Sequence, residues 1–135
     1  MEDCIFCKII NREIPCSKVY ENDKVMAFLD IAPVNKGHTL VVPKEHHKDL
    51  LDTPDNLLAE TIKVIKKVAK AVMRATGAEG FNLGVNNGKA AGQVVMHLHF
   101  HIMPRFEDDG LKLWSGKKYE GKEEEETAEK IRSLL

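Results

Sequence analysis

The sequence predicts an α+β fold built on a mainly antiparallel sheet. Short apolar runs typical of strands form two groups, three before and two after one long amphipathic segment. Strands therefore do not alternate with helices as they do in parallel α/β folds. The chain has 135 residues, of which 43% are hydrophobic, which suits one domain with a real core. We expect a single domain over 1–135, with five strands, one long helix and a short N-terminal helix.

Charge and composition exclude several functional classes. Twenty basic and 21 acidic residues nearly cancel, so no strong positive field favours nucleic acid, although a small phosphate ligand is possible. No apolar run approaches the roughly 20 residues needed to span a bilayer. The N-terminus MEDCIFCKII lacks a basic region and does not resemble a signal peptide. The three cysteines Cys4, Cys7 and Cys16 are a poor disulfide framework. We therefore expect a cytoplasmic protein that binds neither nucleic acid nor membrane.

The N-terminal part of the chain predicts a short helix, a hairpin and a buried strand. Asp3 can cap the helix, which Pro15 ends. Its apolar side would consist of Ile5, Phe6, Ile9 and Ile10. The runs KVYEN and KVMAFLD, with a turn at Asn22-Asp23, predict the hairpin. After the loop APVNKG, the run HTLVVP predicts a buried strand over 38–43.

One long helix and two further strands are predicted next. The helix would begin at Thr53-Pro54, because proline suits the first helical position, and end at Gly77. Its core side would consist of Leu58, Ile62, Ile65, Ala69 and Val72. GFNLGVN predicts a fourth strand, NGKAAGQ a loop and VVMHLHFHIM a fifth strand. The core of the domain would cover about 4–106, and 107–135 would be a polar tail with a terminal helix beginning at Glu123–Glu126.

Three of the six histidines, His97, His99 and His101, alternate within the fifth predicted strand. Side chains alternate across a strand, so these three share one face. The core face would carry Leu98, Phe100 and Ile102. A polar strand face is one interpretation, and a His-x-His metal site is another. The third is catalysis at phosphorus, because a neutral imidazole can attack a phosphoryl group.

Two cysteines, Cys4 and Cys7, form a C-x-x-C pair in the first predicted helix. Two thiolates and two imidazoles would complete a tetrahedral zinc site, and the candidate imidazoles are His46, His47 and His97. A redox role is less favoured, because no βαβ pattern of the thioredoxin type surrounds the pair. Packing of both cysteines as small hydrophobic residues is the remaining alternative.

Three segments of the chain together resemble one family. CIFCKIINREIP, FLDIAPVNKGHTLVVPKEH and NNGKAAGQVVMHLHFHIMPR are similar to the histidine triad (HIT) family of nucleotide-binding hydrolases and transferases, named for its His-x-His-x-His pattern. The resemblance covers about residues 4 to 106. It implies a HIT-like fold, a purine nucleotide substrate and a homodimer formed through the long helix and the sheet edge. The activity it implies is of the Hint-like or dinucleoside polyphosphate hydrolase-like kind.

The resemblance also implies catalytic and metal-binding roles. His99 resembles the nucleophile that forms a covalent nucleotidyl-histidine intermediate. His101 would contact the phosphate, and His38 would orient a catalytic imidazole. By the same resemblance, a structural zinc ion would be held by Cys4, Cys7, His46 and His97.

Substrate-binding roles follow from the same likeness. Asp30 would accept the ribose hydroxyls. The loop facing the phosphate would contain Asn86, Gly92 and Gln93. The apolar walls of the base pocket would be Ile5, Phe6, Ile9, Phe28 and Ile31. Trp114 would pack at a dimer interface, near the site or in the core.

One residue departs from the family pattern. Val94 stands where many members have a serine or threonine whose hydroxyl assists the leaving group. A valine side chain donates no proton, so the reaction would be slow, use the Val94 backbone amide or prefer a good leaving group.

The leading hypothesis is a nucleotide hydrolase or nucleotidyl transferase that acts at an α-phosphate. Its substrate would be a nucleoside phosphoramidate or a dinucleoside polyphosphate such as diadenosine tetraphosphate. One alternative is a non-catalytic nucleotide-binding or scaffold protein of the same fold. The other is a zinc protein in which all three histidines of the triad bind metal.

Overall fold

The computed structural model describes residues 3–135 and has an antiparallel sheet at its centre. The strands are β1 (Lys18–Glu21), β2 (Val25–Leu29), β3 (Thr39–Pro43), β4 (Gly80–Val85) and β5 (Phe100–Arg105). Their order across the sheet is β1-β2-β3-β5-β4, and each neighbouring pair is antiparallel. The α-helices are α1 (Ile5–Ile10), α2 (Asp55–Thr76) and α3 (Glu123–Ser133). The predicted α+β fold with a five-stranded antiparallel sheet is confirmed.

Helix α1 begins one residue later than its predicted cap implies. Cys4, not Asp3, is the N-cap residue, and its Sγ accepts a hydrogen bond from the Cys7 backbone N–H at 3.3 Å. A thiol can satisfy this amide because the buried helix start brings it within reach, whereas Asp3 is exposed. The helix ends at Ile10, before Pro15 as predicted. The cap places Cys4 and Cys7 side by side.

The hairpin between β1 and β2 forms where the sequence predicts it. The side chain of Asn22 accepts hydrogen bonds from the backbone N–H groups of Lys24 and Val25, both at 2.9 Å. This local bonding is the reason that asparagine favours tight turns. β2 then pairs along its whole length with β3, from Val25 opposite Pro43 to Leu29 opposite Thr39.

Helix α2 covers one face of the sheet, but its buried stripe is only partly the predicted one. Ile62 is 49% exposed, and Leu58 is half-buried. The buried side consists of Leu57, Thr61, Val64, Ile65, Val68, Ala69 and Val72. Thr61 can lie in this stripe because its hydroxyl donates to the Leu57 carbonyl at 2.7 Å, so no buried polar group lacks a partner there. Apolar periodicity alone therefore placed the buried stripe one residue late at the start of α2, where Leu57 and Thr61 are buried and Leu58 packs at the edge of the core.

The ends of α2 are defined by Pro54 and Gly77. Pro54 has an extended backbone (φ −60°, ψ 145°), so it is the N-cap residue, and the prediction that it occupies the first helical position is wrong by one. Gly77 has φ 71°, the left-handed conformation expected at a helix C-terminus, and this prediction is confirmed.

Strand β5 is displaced from its predicted range of 94–103 and covers Phe100–Arg105. Residues 94–99 approach the sheet without joining its ladder. By the β3–β5 register, residues 94–97 lie beyond Pro43, where β3 ends, and the Pro43 carbonyl accepts from the His97 side chain at 2.7 Å. The Leu98 N–H donates instead to the His47 carbonyl at 2.8 Å. Alternation nevertheless continues through this segment, because Leu98 and Ile102 are buried in the cluster that contains the α2 core residues.

The other face of the sheet carries α1 and a second, smaller core. Its buried members are Cys4, Phe6, Cys7, Ile9, Met26, Phe28, Leu40 and Val42. Beyond Arg105 the chain is mostly exposed, and the predicted terminal helix α3 is present with no buried residue. The face that carries α1 also carries the histidines.

Within residues 3–135, none of the helices has the length and apolar character needed to cross a membrane.

Candidate functional site

The triad histidines follow one another along the sheet face opposite α2. His97 is fully buried, His99 is almost so, and His101 is half-buried. The ring centroids of His99 and His101 are 5.1 Å apart. Phe6 of α1 packs its ring edgewise against His99 at 4.9 Å and against His97 at 6.0 Å. Phe6 therefore links α1 to two of the three histidines.

The ring nitrogens of His97 have different partners. Nε2 lies 2.7 Å from the Pro43 carbonyl oxygen, which can only accept, so Nε2 carries the proton. The lone pair is then on Nδ1, which lies 3.4 Å from Cys4 Sγ and 3.6 Å from Cys7 Sγ. Burial lowers the pKa of His97 to about 4, so the ring is neutral at pH 7. A neutral imidazole whose lone pair faces two sulfurs is suited to metal binding.

Four predicted metal ligands converge at this point. The ligand atoms of Cys4, Cys7, His46 and His97 all lie within 4.8 Å of one another. His46 joins through Nδ1, 3.4 Å from Cys7 Sγ. In tetrahedral zinc, bonds of about 2.3 Å to sulfur and 2.0 Å to nitrogen separate the ligand atoms by about 3.5 Å. The donor set therefore fits zinc in both chemistry and spacing.

The position of His47 supports the same donor set. Burial, together with the hydrogen bond and charge of Cys4, raises the pKa of the Cys7 thiol, because a thiolate is poorly solvated there. A bound dication would supply the missing compensation. His47 is not part of the cluster, since its Nε2 lies 2.7 Å from the Glu45 carboxylate. Of the two adjacent histidines, His46 is therefore the one that faces the cysteines.

His99 has the opposite tautomer from His97. Its Nδ1 lies 2.7 Å from the His97 carbonyl oxygen and must donate, so the lone pair is on Nε2. No residue within 3–135 hydrogen-bonds to Nε2, and His99 is 8% exposed. Burial also lowers the pKa of His99, which keeps the ring neutral. This side chain therefore presents an unprotonated nitrogen at the surface of the site.

His38 and His101 form a hydrogen-bonded pair. The Val34 N–H donates to His38 Nδ1 at 3.1 Å, so His38 carries its proton on Nε2. That Nε2 lies 2.9 Å from His101 Nδ1 and 3.6 Å from Asp30 Oδ2. His101 accepts at Nδ1, so its own proton is on Nε2. Burial, with repulsion from His99 and His38, lowers the pKa of His101 to about 4. His101 is therefore a neutral hydrogen-bond donor beside His99.

Asp30, His38 and His101 also bring three ligand atoms within 4.8 Å of one another. A metal on His38 Nε2 would force its proton onto Nδ1, where it would meet the Val34 N–H donor. The hydrogen bonding of this second cluster therefore opposes metal binding, and the hypothesis that the whole triad binds metal is not favoured.

The predicted walls of the base pocket divide into a packed group and a rim. Phe6, Ile9 and Phe28 are buried, and the Phe6 and Phe28 rings meet edgewise at 5.7 Å. Ile5 is exposed, and Ile31 is fully exposed. The structure therefore brings only the first three together. Ile5 and Ile31 are not buried walls, because both side chains project from the surface.

The remaining predicted substrate ligands lie on two loops. Asp30 Oδ1 accepts from the Ala32 N–H at 2.8 Å, which fixes the carboxylate beside His38. Asn86 approaches the Gly92 carbonyl at 3.5 Å, and Gly92 has φ 90°, a conformation that favours glycine. These residues lie at the edge of the site, where the sequence predicts the phosphate loop.

Gln93 has a different position from the rest of its loop. It is buried, and its side-chain amide donates to the Lys48 carbonyl at 2.7 Å and the Val95 carbonyl at 3.0 Å. Its oxygen accepts from the Gly88 N–H at 2.9 Å. The side chain therefore holds the loop from inside and does not project towards a ligand. Val94, the next residue, is 87% exposed.

The C-terminal side of the site was predicted only in part: a position near the site was one alternative for Trp114, and residues 111–113 were given no role. A cavity of about 560 Å³ lies beside His38 and His101, and its outer side is formed by residues 111–114. Asp109 anchors this segment, because it accepts from Arg105 at 2.7 and 3.0 Å and from the Leu111 N–H at 3.0 Å. The Arg105 guanidinium holds the pKa of Asp109 well below its usual range. Trp114 is 94% exposed, so packing in the core is excluded. In the sequence, the signal of a turn before this segment is Gly110, which has φ 76° in the structure.

Sequence comparisons find related proteins over most of the chain. Residues 11–108 match the family model described as the HIT domain. An uncharacterized HIT-like protein of Methanocaldococcus jannaschii is 56% identical over 107 residues, covering 79% of this chain and 82% of that protein. The adenosine 5′-monophosphoramidase hnt1 of Schizosaccharomyces pombe is 48% identical over 102 residues, covering 76% and 74%. The adenylylsulfatase HINT3 of Arabidopsis thaliana is 48% identical over 109 residues, covering 81% of this chain and 55% of the plant protein.

Solved structures share the fold. A Streptococcus mutans protein, with 42% identity, superposes with a TM-score of 0.93 over 99% of this chain and 86% of its own. A zinc-bound histidine triad family protein from Mycobacterium smegmatis, with 35% identity, gives a TM-score of 0.78 over 99% of both chains.

Proposed function

The chain belongs to the HIT family, and from this premise we propose that it is a cytoplasmic hydrolase that cleaves purine nucleotides at the α-phosphate. The substrate is a nucleoside phosphoramidate or a dinucleoside polyphosphate. The observation that carries this proposal is the hydrogen bonding of His99, whose Nδ1–H donates to a backbone carbonyl while no residue within 3–135 hydrogen-bonds to Nε2. The names of the yeast and plant relatives support nucleotide hydrolysis.

The reaction has two displacements at phosphorus. The lone pair of His99 Nε2 attacks, an N–P bond forms, and the bond from phosphorus to the leaving group breaks. The leaving group departs with the bonding electrons and takes a proton from solvent, because Val94 offers none. Water then attacks the same phosphorus, loses a proton to solvent and displaces the neutral imidazole. The Nδ1–H bond to the carbonyl of His97 stabilises the positive charge that His99 carries in the intermediate.

His101 stabilises the phosphate during both steps. Its Nε2–H donates to a non-bridging oxygen, and His38 fixes that tautomer by donating to Nδ1 at 2.9 Å. A donor held in place before the reaction costs little reorganisation when negative charge develops. Asp30 accepts the ribose hydroxyls, and the Asn86–Gly92 edge of the loop faces the phosphate.

A structural zinc ion is held by Cys4, Cys7, His46 and His97. Such an ion contributes folding free energy and takes no part in the displacement. The convergence of the four ligand atoms supports this assignment, and so does the zinc-bound mycobacterial relative.

A second copy of the chain covers the β4 edge of the sheet. Phe81 and Leu83 of β4 and Ile62 of α2 are exposed large apolar side chains. Leu83 lies opposite the core residue Ile102, so it faces the same side of the sheet as α2. An unpaired edge strand beside apolar surface favours a two-fold interface. Sedimentation should give a dimer, and Leu83→Glu should give a monomer.

The alternative is a protein of this fold that binds a nucleotide without cleaving it. Val94 favours this alternative, because it offers no side-chain proton to a leaving group.

One incubation series tests the proposal. The protein and its His99→Ala variant are mixed separately with adenosine phosphoramidate and diadenosine tetraphosphate, and products are resolved by chromatography. Intact mass after quenching in alkaline denaturant measures the adenylyl adduct. Release of AMP from either substrate, with an adduct absent from His99→Ala, supports the hydrolase. AMP binding without cleavage or adduct would make the binding protein the better description.

A further inference from the structure

We infer that the metal centre and the nucleophile form one unit, in which His97 and Phe6 act as positioning residues for His99. This inference rests on the proposed function, since it concerns the attacking nitrogen of His99. It adds a task for the metal centre, which would set the tautomer and position of the nucleophile in addition to stabilising the fold. Two separate contacts support it.

The first contact runs through the backbone of His97. Its imidazole Nδ1 faces Cys4 and Cys7, while its carbonyl oxygen lies 2.7 Å from His99 Nδ1. The same residue therefore offers one group to the metal and another to the nucleophile. With both of its ring nitrogens held, His97 keeps its backbone carbonyl directed at His99. The hydrogen bond from His99 Nδ1–H to that carbonyl keeps the lone pair of His99 on Nε2.

The second contact runs through α1. This helix has six residues, far fewer than an isolated helix needs to be stable, so its anchors decide whether it forms. Two of its anchors are the metal ligands Cys4 and Cys7, and Phe6 lies between them. The Phe6 ring covers His99 at 4.9 Å and also contacts the His97 ring. Loss of the metal from Cys4 and Cys7 would therefore loosen α1, and with it the Phe6 ring that packs on His99.

The consequence is a coupling between metal and nucleotide. Without the metal, His99 would exchange between its two tautomers. The Nε2–H tautomer has no lone pair on Nε2, the attacking nitrogen. Nucleotide affinity would fall as well, because Phe6 also belongs to the buried group near the predicted base pocket. Binding free energies are reciprocal, so AMP should raise the affinity for zinc by the factor by which zinc raises the affinity for AMP.

The test begins with histidine ¹H–¹⁵N spectra of the full chain, loaded with zinc and then stripped by a chelator. The loaded protein should show His99 as a single Nδ1–H tautomer, and the stripped protein should show a mixture that added zinc reverses. The dissociation constant for AMP should rise by about 10-fold or more on stripping, the scale of effects from groups that support a metal site. Cys16→Ser is the matched control, because this third cysteine lies outside the ligand set and should change neither quantity.

A second variant separates packing on the nucleophile from metal content. Phe6→Leu, studied with zinc bound, should keep one zinc per chain, lower kcat and disturb the His99 signals. A folded stripped protein with one His99 tautomer and unchanged AMP affinity would overturn the inference. If the stripped chain unfolds, unchanged His99 signals in Phe6→Leu would overturn it. A tautomer that responds to zinc in a protein that cleaves no nucleotide would overturn the proposed hydrolase and leave the coupling standing.

Discussion

Two clusters of potential metal ligands lie at opposite ends of the histidine triad and differ in their donor atoms and in their hydrogen bonding. One contains Cys4, Cys7, His46 and His97, and the other contains Asp30, His38 and His101. In the first, a backbone carbonyl takes the His97 Nε2–H and leaves Nδ1 free to bind metal. In the second, the Val34 N–H donates to His38 Nδ1, so the proton of His38 is on Nε2 and is donated to His101 Nδ1.

The backbone partner of an imidazole therefore decides its chemistry. A carbonyl beside one ring nitrogen exposes a lone pair at the other, whereas an amide N–H exposes a proton. His99 lies between the clusters and follows the first rule, with its lone pair directed away from the carbonyl of His97. Variants of His99 and of each cluster should separate these roles, because each removes a different hydrogen-bond partner or ligand.

His99→Ala removes the residue that lies between the clusters. We expect kcat to fall by about 10⁴-fold or more, the scale seen when a covalent nucleophile is removed. AMP affinity and zinc content should change little, since neither cluster loses a member. Single-turnover kinetics, calorimetry and metal analysis measure the three quantities. Activity near that of the unchanged protein would refute the assignment of the nucleophile.

Cys4→Ser and Cys7→Ser each break the first cluster. Both should lose the one zinc per chain, and a loss of about 3 kcal/mol would lower Tm by roughly 10 °C in a domain of this size. Metal analysis and thermal unfolding give the answer. Cys16→Ser is the control among the cysteines and should keep both zinc and Tm. His101→Ala should also keep its zinc, and loss of zinc there would mean that the two clusters share a metal.

His38→Ala breaks the second cluster without touching the first. His101 would lose the donor that fixes its tautomer, and kcat should fall by about 10- to 100-fold, as expected for a misplaced catalytic group. His38→Gln retains an N–H near the same place and should recover part of that loss. Steady-state kinetics and metal content are compared for both variants. Equal kcat in the Ala and Gln variants would argue against a positioning role for His38.

The stability of the fold should also depend on pH through His101. The pKa of His101 is about 4 in the folded protein and ordinarily near 6.5, so the unfolded chain binds the proton more readily. The stability that neutral His101 contributes to the fold is fully present above pH 6.5 and is lost as pH falls towards 4. Denaturant unfolding of the metal-free protein should therefore show a free energy that declines over this interval. His101→Gln should decline less steeply, and an identical slope would contradict the lowered pKa.

Much of the fold could be predicted because its signals are local. The turn at Asn22, the end of α2 at Gly77 and the alternation around Leu98 and Ile102 each depend on neighbouring residues. The start of β5 depends on a distant one, because Phe100 lies opposite Val85, the last residue of β4. Periodicity within 94–103 carries no information about that partner.

The site was predictable in composition and less so in geometry. Spacing alone left His46 and His47 open and the family resemblance favoured His46, whereas the fold shows directly that His46 faces the cysteines and His47 does not. The buried position of the Gln93 side chain could not be predicted, because it depends on three hydrogen bonds to backbone groups of Lys48, Gly88 and Val95. A polar residue in a loop gives no sign of whether it points inwards.

The clamp between Arg105 and Asp109 has a consequence for spectroscopy. It orders the turn that leads to Trp114, the single tryptophan of the chain, which stands 94% exposed at the rim of the cavity beside His101. An indole surrounded by water emits at long wavelength, and its emission shifts to the blue when another surface covers it. The intrinsic fluorescence of this protein therefore reports, without any label, when a ligand or a neighbouring subunit closes over that side of the site.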